Sequence, residues 1–248
     1  MLSGFFAKLT LLYGMLFVLS WVFLGAVERR FAARPLDTRK VLARDFGAAL
    51  VFFFFALPGS IVLANLLVST PKLPDSLRAL PLWLRLCLYV VMADFGAYWI
   101  HRWLHTRWLW PTHKWHHCPT YMYWMAGIRG SLLQQTLINL PYILAGAFLA
   151  NSPGWVVWFL YTKNFLANDY MHLNVSWGTK WLEWFLITPR YHHVHHSEKP
   201  AYYRSNFATL FPIWDRLFGT YVDPEKVGTE IHFGIGESVP AWRLAVGV

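Results

Sequence analysis

The chain has 248 residues, 56% of them hydrophobic and only 14% charged, which excludes an ordinary water-soluble domain and calls for long apolar segments. Its two cysteines, Cys87 and Cys118, exclude a disulfide scaffold, a cysteine-based zinc module and an iron-sulfur centre, so any metal must be held by other side chains. The net charge of +9 would suit nucleic acid on a polar chain. On this one it suits the basic rim of membrane helices, and no nucleic-acid partner is expected.

Leu9 to Val27 is a run of 19 uncharged residues and Phe46 to Thr70 a run of 25, each long enough to cross the hydrocarbon core as a helix. The first runs straight into Glu28, Arg29 and Arg30 without a small-residue cleavage site, and so reads as an anchor rather than a removed signal. The second contains Pro58 and Gly59, where a kink is expected. A third segment, Leu82 to Ile100, carries Arg85 and Asp94; charges at such depth face protein or water. Ser131 to Thr162 is uncharged over 32 residues and is broken by Asn151, Ser152, Pro153 and Gly154, which leaves a transmembrane hairpin and a re-entrant pair both open.

Lys and Arg set the orientation. Residues 28 to 45 hold six, 101 to 130 hold four and 172 to 248 hold seven, whereas the opposite side has Lys72 and Arg78. Five crossings put the three rich segments on one side, which the positive-inside rule makes cytoplasmic. The expected fold is an all-α, polytopic integral membrane bundle of four to five membrane helices, with a helical cytoplasmic cap carrying a His-rich dimetal site. Residues 1 to 80 read as N-terminal anchor helices and 81 to 248 as the functional domain, in a bacterial inner membrane or an ER membrane.

Histidine spacing carries the chemistry. His101 and His105 form H-x-x-x-H; His113, His116 and His117 form H-x-x-H-H; His192, His195 and His196 form a second H-x-x-H-H; His172 stands alone. Residues three or four apart share one helix face, so each cluster can aim two or three imidazoles at one point. Imidazole suits iron, zinc, copper and nickel, and nine candidate ligands exceed the needs of one ion, which makes two ions the economical reading. His193, about 100° around the helix from His192, is open to ligation, to supporting a ligand or to facing substrate. His232 reads as a hydrogen-bonded core residue.

Asp94, Tyr98, His101 and His105 fall on one helical stripe, so Asp94 could accept a hydrogen bond from Tyr98 or from a ligand imidazole; an ion pair with a neighbouring helix is the alternative. Asn168, four residues before His172, could reach a metal directly or through water, or could seal its helix end.

These residues resemble the fatty acid hydroxylase superfamily, also called the sterol desaturase family. The resemblance runs from about Asp94 to Gly219, through H-R-W-L-H at 101 to 105, H-K-W-H-H at 113 to 117, H-L-N at 172 to 174, T-P-R-Y-H-H-V-H-H-S at 188 to 197 and W-D-R-L-F-G-T at 214 to 220. It implies an integral membrane enzyme whose centre of two iron ions, ligated by His101, His105, His113, His116, His117, His172, His192, His195 and His196, uses O2 and external electrons to oxidise a lipid C–H bond. Two positions depart from the pattern. Arg204 stands where members tend to carry an acidic residue ahead of Asn206, Phe207 and Ala208, and Asn168 with His172 stands where many have a further H-x-x-x-H.

No dinucleotide fingerprint or haem domain is present, so electrons are expected from a separate electron-transfer protein, with the membrane and a lipid as the other partners. The substrate cavity is expected to be lined by Trp, Phe and Met and to open toward lipid. The alternative is a metal-binding or metal-transport protein without redox catalysis, which would place ionisable residues along a path through the spans. A zinc hydrolase would need a carboxylate within the clusters, and none has one.

Overall fold

The computed structural model describes residues 2–228 and 230–247, and among them the chain is helical, with one isolated bridge, Ser197 to Phe233, in place of a sheet. Four segments are long and apolar enough to cross a membrane: Ala7–Phe31 within helix α1 (Leu2–Phe31), helix α2 (Thr38–Leu67), helix α3 (Leu82–Leu104), and Leu132–Leu149. Their outer faces expose Leu11, Val18, Phe23, Phe54 and Leu66, as expected where the solvent is hydrocarbon.

Three sequence expectations change in detail. The basic segment at 28 to 45 is mostly helix, because α1 continues to Phe31 and α2 begins at Thr38, where the Asp37 side chain accepts from the Arg39 amide. Pro58 is accommodated by a π-helical turn at Phe52–Ala56. Proline lacks the N–H and its ring crowds the carbonyl four residues back, on Phe54, so the wider turn removes the clash without ending the helix. The uncharged run at 131 to 162 becomes α5 (Leu132–Ala145) with a 3-10 turn, then the break at 150 to 153, then α6 (Gly154–Met171), which continues past Thr162. With Lys163 and Asp169 on it, α6 is not among the four apolar candidates.

The bundle is tied by close approaches. Helix α3 lies against α5, and a Cβ on Gly96 would come within 2.6 Å of Pro141 Cβ, so only glycine permits this spacing. The second half of α2 also packs on α5, while α1 packs on α6. Under the cap, Val41, Ala49, Trp124, Met125, Ile128 and Leu173 form an apolar cluster reached by Phe17, whose ring meets Trp124 edge-on at 5.4 Å.

Polar groups then join the first two helices to the cap. Glu28 accepts from the amides of Trp124 (2.9 Å) and Asn174 (2.8 Å). Asp45 pairs with Arg129 in full burial and accepts from the hydroxyls of Tyr121 and Tyr123. Removing one partner of such a pair strands the other charge. Asp45→Asn is expected to destabilise the fold by about 3 kcal/mol, read as a lower unfolding temperature in detergent; unchanged unfolding would show that the pair does not hold α2 to the cap.

Candidate metal centre

Two short helices and the ends of two longer ones bring the histidines together. His101 and His105 sit in the last turn of α3 and at its cap; His113, His116 and His117 lie on α4 (Trp110–His117); His172 caps α6; His192 and His195 lie on α7 (Pro189–His195) and His196 caps it. Helix α7 starts where it does because Thr188 caps it, accepting from the Tyr191 amide, with Pro189 in its first turn. Buried Glu183 accepts from Thr188 and from Arg190, which locks that cap.

The nine rings form two groups. His101, His105, His113, His117 and His195 bring ligand nitrogens within 4.8 Å of one another, and His116, His172, His192 and His196 do the same. Within the second group Nε2 atoms lie 3.0 Å (His196 to His192), 3.1 Å (His192 to His172), 3.2 Å (His172 to His196) and 3.4 Å (His172 to His116) apart. Neighbouring nitrogens on one ion at about 2.1 Å lie roughly 3.0 Å apart in an octahedron and 3.4 Å in a tetrahedron. The spacing fits.

Backbone carbonyls decide which nitrogen faces inward. The Nδ1–H of His101 donates to Phe207 O (2.7 Å), that of His105 to Tyr203 O (2.8 Å), that of His116 to Arg129 O (3.1 Å), that of His172 to Asn168 O (2.7 Å) and that of His195 to Ser205 O (2.9 Å). A carbonyl only accepts, so in these five rings Nδ1 carries the proton and Nε2 presents a lone pair. The Nε2 atoms of His101, His105 and His195 are buried and have no protein partner. Lone pairs converging without donors are costly unless a cation sits among them.

The electrostatics agree. Burial, and secondarily the proximity of other histidines, holds His113, His117, His192 and His196 well below the usual imidazole range. The neutral imidazole is the form that binds metal.

The carbonyls are themselves held. Asp215, fully buried, accepts from the amides of Phe207 and Ala208 (2.8 Å each), from Tyr191 Oη (2.7 Å) and from Thr220 Oγ1 (2.6 Å), so it fixes the segment whose carbonyl orients His101. Asn206, in the left-handed region at φ 54°, donates to the carbonyls of Tyr191 and Val222. Arg204 is exposed, so the departure there leaves this anchorage untouched. Behind His172, a Cβ on Gly127 would fall 2.3 Å from Nδ1.

The remaining candidate residues take the following partners. Asp94 accepts from Thr209 Oγ1 (2.8 Å), the Phe211 amide (3.1 Å) and Trp214 Nε1 (2.8 Å), not from Tyr98 or an imidazole. Its helical register is as expected, but the side chain turns toward the cap. The Tyr98 hydroxyl pairs with Thr220 Oγ1 at 2.9 Å. Asn168 meets His172 through its main-chain oxygen. His193 lies outside both groups, with Nδ1 3.1 Å from Arg34 Nη1 and its ring edge-on to Phe233. His232 is exposed rather than in the core.

A cavity of about 520 Å³ leads from His101, His113, His116, His172 and His192 between α1, α2, α3, α5 and α6 as far as Thr70 and Leu149. Its lining is richer in Tyr, Leu, Ile and amide side chains than expected, with Phe52, Phe165 and Met171 but no Trp.

Side-chain spacing in the sequence does not reveal the roles of Gly127, Asp215, Glu28 and Asp45. Asp215 lies in the W-D-R-L-F-G-T motif, which was a usable signal; Gly127 carries none, since its role is a distance to a ring far along the chain. Gly127→Ala is expected to lower bound transition metal, measured by elemental analysis, with helical circular dichroism unchanged. Full metal content in that variant would show that the Gly127 contact does not position His172.

The profile of the fatty acid hydroxylase family matches residues 86–220. Relatives include alkylglycerol monooxygenase of Xenopus tropicalis, 34% identical over 134 residues (54% of this chain, 29% of the relative). Ornithine lipid hydroxylase OlsE of Rhizobium tropici is 29% identical over 147 residues (59% and 44%). Methylsterol monooxygenase 1-3 of Arabidopsis thaliana is 28% identical over 141 residues (55% and 47%). The aligned region thus spans less than half the length of each. No solved structure matches. A profile match over more than half of the chain, containing both H-x-x-H-H clusters, makes this protein a member of the fatty acid hydroxylase family.

Proposed function

We propose that the chain is an O2-dependent oxidoreductase of the membrane that hydroxylates or desaturates a lipid C–H bond at a centre of two iron ions. The observation that carries this reading is the convergence of inward lone pairs, in two groups, at one end of a cavity within the bundle. His101, His105, His113, His117 and His195 would hold one ion and His116, His172, His192 and His196 the other. Iron bound there supplies the two-electron activation of O2 that an unreactive C–H bond requires. In hydroxylation one oxygen atom enters that bond and the other leaves as water, with two electrons and two protons supplied from outside. The electrons would come from a separate protein at the cytoplasmic face, the side on which the positive-inside rule favours the basic segments and, with them, the histidines.

The protein's own groups orient and exclude. Asp94 and Tyr98 are positioning residues that fasten the 209–220 segment over α3, and Asn168 positions His172 through its carbonyl. Burial of the imidazoles keeps water from the reacting centre. Residues 1–80 anchor the functional domain at 81–248 and brace it through Glu28 and Asp45. Cation transport is disfavoured because no carboxylate lines the cavity, while Lys163 does.

Lipid extracts of cells with and without the gene, grown under O2, test the reaction. A lipid gaining one oxygen atom or losing two hydrogens is expected only with the intact gene, and His195→Ala should abolish it. Identical lipidomes, or full activity in His195→Ala, would contradict the proposal.

A further inference from the structure

Within the cavity the side chains are not those of a plain hydrocarbon sleeve. Lys163 on α6 is the one lysine or arginine in the lining, and its amine makes no hydrogen bond or ion pair with the described residues. The carboxylate close enough to influence it is that of Asp94, whose two oxygens are already committed to Thr209, Phe211 and Trp214. The adjacent Asn164 likewise has no side-chain hydrogen bond. On α5, Asn139 donates to Ser60 Oγ (3.0 Å) and keeps one N–H and its carbonyl for another partner.

A cation and amides at this depth are costly without a partner, and a bare acyl chain would leave all of them unsatisfied. A ligand bearing an anion would satisfy them and would be favoured over its uncharged analogue. We infer that Lys163, with Asn164 and Asn139, forms a subsite for the anionic head, carboxylate or phosphate, of an amphiphilic molecule in the cavity. That the molecule is the substrate rests on the proposed function. Lys163 precedes His172 by nine residues of helix, so a head held there lies about 13 Å along the axis from the imidazoles. The reacting carbon would then be set by its distance along the tail from the head.

The test reads binding without turnover. Purified holoprotein in phosphatidylcholine nanodiscs is titrated with dodecanoate, dodecyl phosphate and dodecanol, using wild type, Lys163→Gln and Lys163→Arg, with iron content and unfolding temperature checked for each. Wild type is expected to bind at least one anion about tenfold more tightly than the alcohol. Lys163→Gln should remove that preference without weakening dodecanol, and Lys163→Arg should retain it. The tighter of the two anions identifies the head as carboxylate or phosphate. Equal affinity of wild type for all three, or an undiminished preference in Lys163→Gln, would overturn the subsite. If Lys163→Gln does not fold, the wild-type comparison and retention in Lys163→Arg decide. Anion binding at Lys163 in a protein that oxidises no lipid would refute the reaction and leave the subsite standing.

Discussion

The structure depends on one constraint: imidazole lone pairs are made to face one another in a space closed to water. Five of the rings are committed by donating Nδ1–H to main-chain carbonyls; of their Nε2 atoms, those of His101, His105 and His195 meet no protein partner and those of His116 and His172 meet other imidazoles. Such an arrangement is unfavourable for the bare protein and becomes favourable with cations at the two foci. Metal bound there would be coupled to the folding of the cap, because every element that fixes a carbonyl also fixes a candidate ligand.

Much of the cap serves those carbonyls. Asp215 gathers two amides and two hydroxyls so that Phe207 O is where His101 needs it. Asp45 holds Arg129, whose carbonyl orients His116. Glu28, from the end of the first span, ties the amides of Trp124 and Asn174 on either side of the Gly127 to His172 contact. These carboxylates are buried, reach no imidazole of the two groups, and act through the backbone. The division of labour follows from charge: neutral imidazoles face the candidate ion positions, and acids sit behind them where amides, hydroxyls and a guanidinium neutralise them.

What could be read in the sequence was what depends on spacing. H-x-x-H-H puts its rings on one helix face whatever the tertiary context, so both clusters were legible, as were the apolar runs that become spans. What depends on where another segment lies was not. The stripe of Asp94 was placed in register, yet its partners, Thr209, Phe211 and Trp214, lie more than a hundred residues away. The spacing that identifies His192 leaves His193 open, and contacts with Arg34, Phe233 and the Leu173 main chain set where it turns. Pro58 signalled an irregular turn, but not that the chain would widen the turn instead of ending the helix. The carbonyl acceptors are invisible to any side-chain pattern.

The cavity links these themes, since it begins at the paired imidazole groups and runs among helices whose outer surfaces are lipid-facing hydrocarbon. Amides and an amine along it would suit a partly polar molecule at a set depth relative to the two imidazole groups. X-ray absorption at the iron edge of the purified protein addresses the central claim most directly. The expected result is a first shell of nitrogen with the outer-shell scattering of several imidazole rings per iron and two irons per chain. A shell lacking imidazole scattering, or iron that does not bind at all, would contradict the account.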